Sequence, residues 1–342
     1  MNEKFDPSSV VDIAKLSGVS RSTVSRVLNG QANVKESTRQ RVLQVIQEHN
    51  FVPNPAARAL VNQRTRILGV VIPYMVSDIF ADPFFPQLLQ AITVAANHRD
   101  HAITLWLSSS QENYQQFYQR ILNYPLLDGV IIAAALADYP IADRLNEAGK
   151  MHMFVGRPGQ DQQHSNYVDV DGEAGAYLMT RHLIERGRRR IAFIPGLEEL
   201  TSTRYRLQGY QRALREAGMP LLPELVAPYS DYKERMAYYS MKGLLTKVKR
   251  LDAVFASSDV MAIGAMKAIQ DSGYSIPDDI AVGGFDDMPF AASSTPPLTS
   301  IYQPIGELGR LAVNGLIDLL EGRVIAPYHE ILSVELRVRG ST

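Results

Sequence analysis

The chain has 342 residues, 46% of them hydrophobic and 21% charged, with a formal net charge of −1 and no cysteine. That length exceeds one ordinary core and suits two or three domains, and the missing cysteines exclude disulfides, thiolate metal sites and a cysteine nucleophile. No apolar run approaches the ~18 residues of a membrane span, and the opening MNEKFDPSSVVDIAK lacks the basic-then-apolar order of a secretory signal, so a cytoplasmic protein with no membrane partner is expected. The near-neutral total hides an asymmetry. Residues 1–66 hold ten Lys or Arg against five Asp or Glu, a net +5, which leaves −6 for the rest. A small basic head on a mildly acidic body is expected to meet a polyanion.

Ser9 with Asp12 three residues on reads as a helix start, a capping box in loose form. Val10, Ile13 and Ala14 then share one face. Gly18 stops this helix and Ser20 can cap the next. In the second helix Val24, Val27 and Leu28 face inward, while Arg21, Ser22, Ser25, Arg26 and Asn29 line the opposite face. A third amphipathic helix is expected in KESTRQRVLQVIQEHN, with Val42, Val45 and Ile46 inward. Two short helices joined by a Gly turn form a helix-turn-helix pattern, whose second helix would enter the major groove of DNA. Short polar groups and two arginines suit base edges, because Arg can grip guanine with two hydrogen bonds. Downstream, Pro53 and Pro55 isolate a strong helix-forming stretch, Ala56 to Leu60. It is too short to be stable alone.

VVDIAKLSGVSRSTVSRVLNG, followed by TRQRVLQVIQEHNFVPNPAARAL, resembles the head of the lactose-repressor and galactose-repressor family of bacterial transcription regulators, and the resemblance covers essentially the whole chain. It implies that Arg21, Ser22 and Arg26 read bases, and that Thr23, Ser25 and Asn29 contact phosphate or brace the helix. It also implies that Asn54 to Leu60 is a hinge that becomes helical on operator DNA, where Ala57 and Leu60 approach the minor groove and Leu60 acts as a wedge that bends the duplex.

From Ile67 on, apolar runs alternate with helical patterns. The runs are ILGVVIP, HAITLWL, GVIIAAAL, MHMFVG, RIAFIPG, LVAPY, AVFASS and DIAVGGFD. Helices are expected at Phe84 to Ala96, Asn113 to Asn123, Gly172 to Arg186, Thr203 to Ala217, Glu234 to Lys247 and Asp259 to Asp271. Repeated β-α units make parallel sheets with helices on both faces, and the number of units favours two doubly wound lobes over one sheet. This agrees with the periplasmic-binding-protein-like body that the resemblance implies. The expected division is a helix-turn-helix domain at 1–52, a hinge and linker at 53–66, and a two-lobed effector-binding and dimerisation body at 67–342. Its first lobe spans about 67–161 and its second about 162–290, with late crossover segments.

Ligands of such sheets sit beyond the carboxyl ends of the strands. Residues there include an arginine, carboxylates, hydroxyls and aromatic rings, which suit a sugar or other small polyol. On the resemblance, Arg206 grips hydroxyl or carboxylate groups, Asp286 is its partner carboxylate, and Phe84, Phe85 and Tyr232 stack on the ligand. Arg157, Ser202, Ser258, Asp259 and Gln303 complete the expected effector site. Asp259 could instead cap its helix, and Phe84 could be core. No enzyme signature is found: no Gly-x-Gly-x-x-Gly, Walker loop, Gly-x-Ser-x-Gly or His-Glu-x-x-His. No metal or cofactor is implied. His98 and His101 straddle an expected helix-to-strand turn and read as surface residues.

The expected function is a ligand-responsive regulator, a repressor, that binds a pseudo-palindromic operator as a homodimer and responds to a small sugar. VELRVRGST carries no leucine-heptad pattern, so no further tetramer helix is expected. Three alternatives are a nucleobase-responsive regulator of the same family, a sugar-binding transport protein, and a doubly wound sugar-metabolising enzyme.

Overall fold

The structure is a computed structural model of the chain, and it describes residues 9–28, 33–51, 64–108, 114–133, 141–159 and 162–342. The chain divides into two compact units, Met1–Arg66 and Ile67–Thr342.

The first unit contains α1 (Val10–Ser17), α2 (Arg21–Leu28) and α3 (Glu36–Glu48). The capping box forms in full: Ser9 Oγ accepts from the Asp12 backbone while the Asp12 carboxylate accepts from the Ser9 N–H. Gly18 closes α1 in the left-handed conformation (φ 64°), where a side chain would be strained. Ser20 Oγ then accepts from Thr23 N at 3.2 Å and opens α2. Ile13, Ala14, Val24, Val27, Val42 and Phe51 form one small core, with Val10, Leu28, Val45 and Ile46 packed against it.

Two sheets organise the second unit. Among the described residues, the first holds six parallel strands in the order β10-β5-β4-β3-β1-β2. These are β1 (Ile67–Met75), β2 (Ala102–Ser108), β3 (Gly129–Ala133), β4 (Met151–Val155), β5 (Tyr167–Val170) and β10 (His329–Leu332). The second holds β6 (Ile191–Ile194), β7 (Ala253–Ala256), β8 (Ala281–Asp286), β9 (Thr299–Tyr302) and β11 (Glu335–Arg337), in the order β11-β9-β8-β7-β6. Among the described residues only the β11–β9 pair is antiparallel. Strands β3, β6, β7 and β8 are buried along their whole length, which explains why they read as unbroken apolar runs.

Two sequence expectations need correction. The lobe boundary falls after Val170 rather than near 161, because β5 pairs with β4 and β10 inside the first sheet. LVAPY forms no strand; its Leu225 ends a 3-10 turn, Pro223–Leu225, and Val226 makes an isolated bridge to Phe193 of the sheet. The late crossover segments, also expected, complete both lobes. The helix Ile305–Leu320 packs into the first-lobe core through Leu308, Ala312, Val313 and Leu316. Strand β10 then joins the first sheet and β11 the second, so the chain passes between lobes after Val170, after Tyr302 and after Leu332.

The helices pack at close range. A Cβ on Gly209 would lie 2.1 Å from the Glu173 carbonyl, and one on Gly264 would lie 2.1 Å from the Glu234 carbonyl. Only glycine permits these crossings, of Thr201–Glu216 over Gly172–Glu185 and of Asp259–Gln270 over Glu234–Lys247.

Candidate functional site

In the first unit the polar stripe of α2 lies where its spacing predicts. Val24 and Val27 are buried, and Arg21, Ser22 and Arg26 are exposed on the other face. Thr23 and Ser25 are half-buried. Ser20 Oγ lies 2.8 Å from Ser22 Oγ and 2.9 Å from Thr23 Oγ1, so the hydroxyls at the helix start form one linked group. Asn29, Asn54, Ala57 and Leu60 lie outside the described residues.

In the second unit, Arg206, Asp286 and Gln303 come together although they stand far apart in sequence. All three are buried, at 6%, 5% and 3% exposure. Arg206 is presented by the second turn of the helix Thr201–Glu216, Asp286 by the carboxyl end of β8, and Gln303 by the segment that leaves β9 for the first lobe. The Arg206 guanidinium lies 3.8 Å from the ring centre of Phe285. Its Nη1 donates to the Ser257 carbonyl, and its Nη2 stands 3.6 Å from Asp286 Oδ1. Gln303 Nε2 donates to the same carboxylate oxygen at 2.6 Å. Arg206 Nε is buried without a partner. A buried charged donor without a partner is costly and marks a place for a ligand acceptor. Asp286 also takes a φ of 112°, a backbone region unfavourable for any side chain, as functional sites often do. Burial raises its carboxyl well above the ordinary range, against the pull of Arg206.

Arg157, at the end of β4, is committed to a contact between lobes. Its Nε donates to Asp169 at 2.7 Å and its guanidinium stacks 3.7 Å from the Tyr205 ring centre. Thr201 Oγ1 donates to the Arg157 carbonyl at 2.8 Å, and Gln162 Nε2 reaches the Tyr205 hydroxyl at 3.0 Å. Ser202 lies one turn before Arg206, half-buried. Tyr232 is fixed by a 2.8 Å hydrogen bond to Thr203 and lies close over Gly196, where a Cβ would meet its ring at 2.1 Å.

Three expected effector residues turn out to have structural work. Phe85 shares an inward face with Leu88, Ile92 and Ala95 and belongs to the first-lobe core; Phe84 meets it edge-on at 5.3 Å and stays half-buried. Ser258 caps the helix Asp259–Gln270 by accepting from Met261 N. Asp259 is wholly buried, and both its oxygens are used inside the body: Oδ1 accepts from Ser300 Oγ at 2.5 Å and Oδ2 from Met288 N at 2.7 Å. It braces β9 and the turn after β8, and burial pushes its carboxyl up to about 7.

Sequence reasoning passed over Asp82 as a site residue. Its Oδ1 accepts from Phe84 N at 3.0 Å, and burial raises its carboxyl above the ordinary range, against the pull of that hydrogen bond and of Arg206. Its place in DPFF, two residues before a helix, was the available signal. Phe285 and Ser257, which hold Arg206, left no signal in the sequence beyond their apolar strands.

A DNA-reading helix on a chain whose two-lobed body carries a buried arginine and carboxylate defines a regulator with a ligand cleft. The model of bacterial regulatory proteins of the lacI family matches residues 9–54, and that of the periplasmic binding protein-like domain matches residues 180–342. The HTH-type transcriptional regulator CelR of Thermobifida fusca is 36% identical over 96% of both chains. A solved complex of the regulator CelR with cellobiose is 34% identical, with a TM-score of 0.78, over 98% of this chain and all of that one. A lac repressor dimer bound to operator and the anti-inducer ONPF gives a TM-score of 0.85 at 27% identity, over 98% and 99% of the two chains. The chain belongs to the lacI family of bacterial regulatory proteins, a family of transcription regulators and not of enzymes. Among the described residues no helix is long and apolar enough to cross a membrane.

Proposed function

We propose that this protein is a cytoplasmic, sugar-responsive transcriptional repressor that binds a pseudo-palindromic operator as a homodimer. Arg21, Ser22 and Arg26 read base edges, while Thr23, Ser25 and Asn29 position α2 on the backbone. The segment from Asn54 to Leu60, with Ala57 and Leu60 at the minor groove, forms the hinge. The sugar lies between the lobes, against Arg206, Asp286 and Gln303, with Phe84 and Tyr232 beside its apolar faces and Arg157 and Ser202 at the rim.

The observation that carries this reading is the unpartnered Arg206 Nε beside a carboxylate. A vicinal diol can accept from the guanidinium and donate to the carboxylate together. The solved cellobiose complex of a similar regulator supports a saccharide, and the operator-bound lac repressor dimer supports two-fold reading of DNA. Exposed Leu105 on the edge strand β2 and Val94 on the helix beside it, with exposed Met236 and Tyr239 on the helix packed near β6, give each lobe an apolar flank for a second copy.

A mobility shift on the DNA upstream of its own and neighbouring genes, with and without sugars and nucleobases, tests the reading. A shift altered by a saccharide is expected. A shift altered only by a nucleobase refutes the sugar reading, and no specific shift refutes the regulator as proposed.

A further inference from the structure

Resting on that reading, we propose that Asp259 is a positioning residue for the effector site: it touches no ligand, and with Ser300 it clamps the turn after β8 that aims the Asp286 carboxylate into the cleft. A polar residue at the start of a helix ordinarily meets that helix's own free N–H groups. Here Ser258 already does so, by accepting from Met261 N. Asp259 reaches instead to β9 and to the turn after β8, and it is fully buried there. A buried carboxylate is costly unless its oxygens are engaged, so its partners show what it is kept for.

Those partners converge on one turn. Met288 N donates to Asp259 Oδ2 at 2.7 Å. Asp287 N donates to Ser300 Oγ at 3.1 Å, and Ser300 Oγ donates to Asp259 Oδ1 at 2.5 Å. The two backbone N–H groups that follow Asp286 therefore end on one carboxylate, the first through Ser300 and the second directly. The turn needs that hold. Asp286 and Asp287 are consecutive residues at positive φ, 112° and 54°, in backbone regions that glycine enters far more readily than aspartate. Asp286 is the last residue of β8, still in register with Tyr302 of β9, so the clamp takes over where the sheet lets go. Strand β8 leaves room for it: a Cβ on Gly284 would lie 2.3 Å from Asp259 Oδ1. Without these bonds the turn can relax toward ordinary φ. The Asp286 carboxylate then leaves Gln303, now 2.6 Å away, and Arg206. Binding groups work only when held within about 0.5 Å of their productive place, and that precision comes from residues behind them. The same clamp fixes Met288, which accepts from Gln87 of the first lobe at 3.2 Å.

Calorimetry and crystallography on the full chain test this. The titrant is cellobiose, or hypoxanthine where that alone gives heat with wild type. Asp259→Ala should weaken binding by about tenfold or more, and Ser300→Ala several-fold. Asp259→Asn should recover most of the loss, because its oxygen can accept from Met288 N while its amide donates to Ser300 Oγ. Operator affinity without ligand should keep its wild-type value in all three. A crystal structure of Ser300→Ala, which removes a single hydroxyl, should show Asp286 Oδ1 out of hydrogen-bond reach of Gln303. An Asp286 that has not moved in that structure overturns the proposal. So does wild-type affinity for the titrant in Ser300→Ala, or a loss in Asp259→Asn as large as in Asp259→Ala. Where Asp259→Ala does not fold, the two readouts on Ser300→Ala decide. Heat from neither probe with wild type, or equal heat from wild type and Arg206→Ala, overturns the underlying site reading and this proposal with it.

Discussion

Asp259 and Arg206 are both buried charged residues close to one cleft, yet they do opposite things. Asp259 has all its hydrogen-bond needs met by Ser300 and Met288. Its folded value of about 7 lies above the unfolded carboxylate's 3.8, because burial penalises the charge. The folded state therefore holds this proton more tightly than the unfolded state does. The contribution to stability is largest below about pH 4, declines as pH rises toward 7 and is level above. Asn at this position keeps an acceptor and does not titrate. The melting temperature of Asp259→Asn relative to wild type should rise between pH 5 and pH 8; a difference independent of pH counts against the assignment. Arg206, by contrast, has a donor to spare. Arg206→Ala should abolish the response to ligand in a mobility shift while protein without ligand still shifts operator DNA. A wild-type response from this variant removes Arg206 from the site. At the DNA end, Arg26→Ala should lower specific affinity by ~1–3 kcal/mol if the side chain grips a base. Equal losses on operator and random DNA mark it as a phosphate contact instead.

Elements differ in how plainly the sequence announced them. The three head helices were legible because their caps and their 3.6-residue periodicity agree: Ser9, Gly18 and Ser20 punctuate faces made of Ile13, Ala14, Val24 and Val27. The strands β3, β6, β7 and β8 were legible because both their faces are buried. Strands β10 and β11 were not, since HEIL and ELR are mostly exposed and are strands only because β5 and β9 offer them an edge. No local pattern encodes that pairing. For the same reason the resemblance could pair Arg206 with Asp286, but that Gln303 meets Asp286 depends on how the late crossover brings it back. Phe85, Ser258 and Asp259 show what the sequence leaves out: position beyond a strand end says where a residue stands and nothing about what its side chain already holds. Between elements, the glycine crossings make a sharp test. Gly264→Ala puts a methyl group onto the Glu234 carbonyl, so the two helices must part, at a cost of about 1–3 kcal/mol. Chemical denaturation should show that loss, and wild-type stability would mean that the two helices have room to accept the methyl group.

The whole molecule joins a DNA-reading unit to a body whose lobes touch through Thr201–Arg157, Gln162–Tyr205 and Gln87–Met288. A ligand held between the lobes against Arg206 would act on the same apposition. If the two binding events are linked through it, each must alter the other's affinity by the same factor, in this class of device typically 1–3 kcal/mol. Effector affinity measured with and without operator should show the same factor as operator affinity measured with and without effector. Unequal factors would mean that one titration includes a further equilibrium, such as dimer dissociation.

The three passages of the chain between lobes also govern the order in which the molecule can be made. The first unit has a core of residues 13 to 51 and can close early in synthesis. The first lobe cannot complete its sheet until β10 at residues 329–332 has left the ribosome, and the second lobe waits for β11 at 335–337. Both lobes are thus finished within a few residues of each other, after more than nine-tenths of the chain has been translated. Domains usually fold in turn as they emerge; here the two lobes must wait and mature together. A nascent chain stalled at residue 300 would carry a folded DNA-reading head and two incomplete lobes, neither able to grip a ligand or to present a finished surface to a second copy.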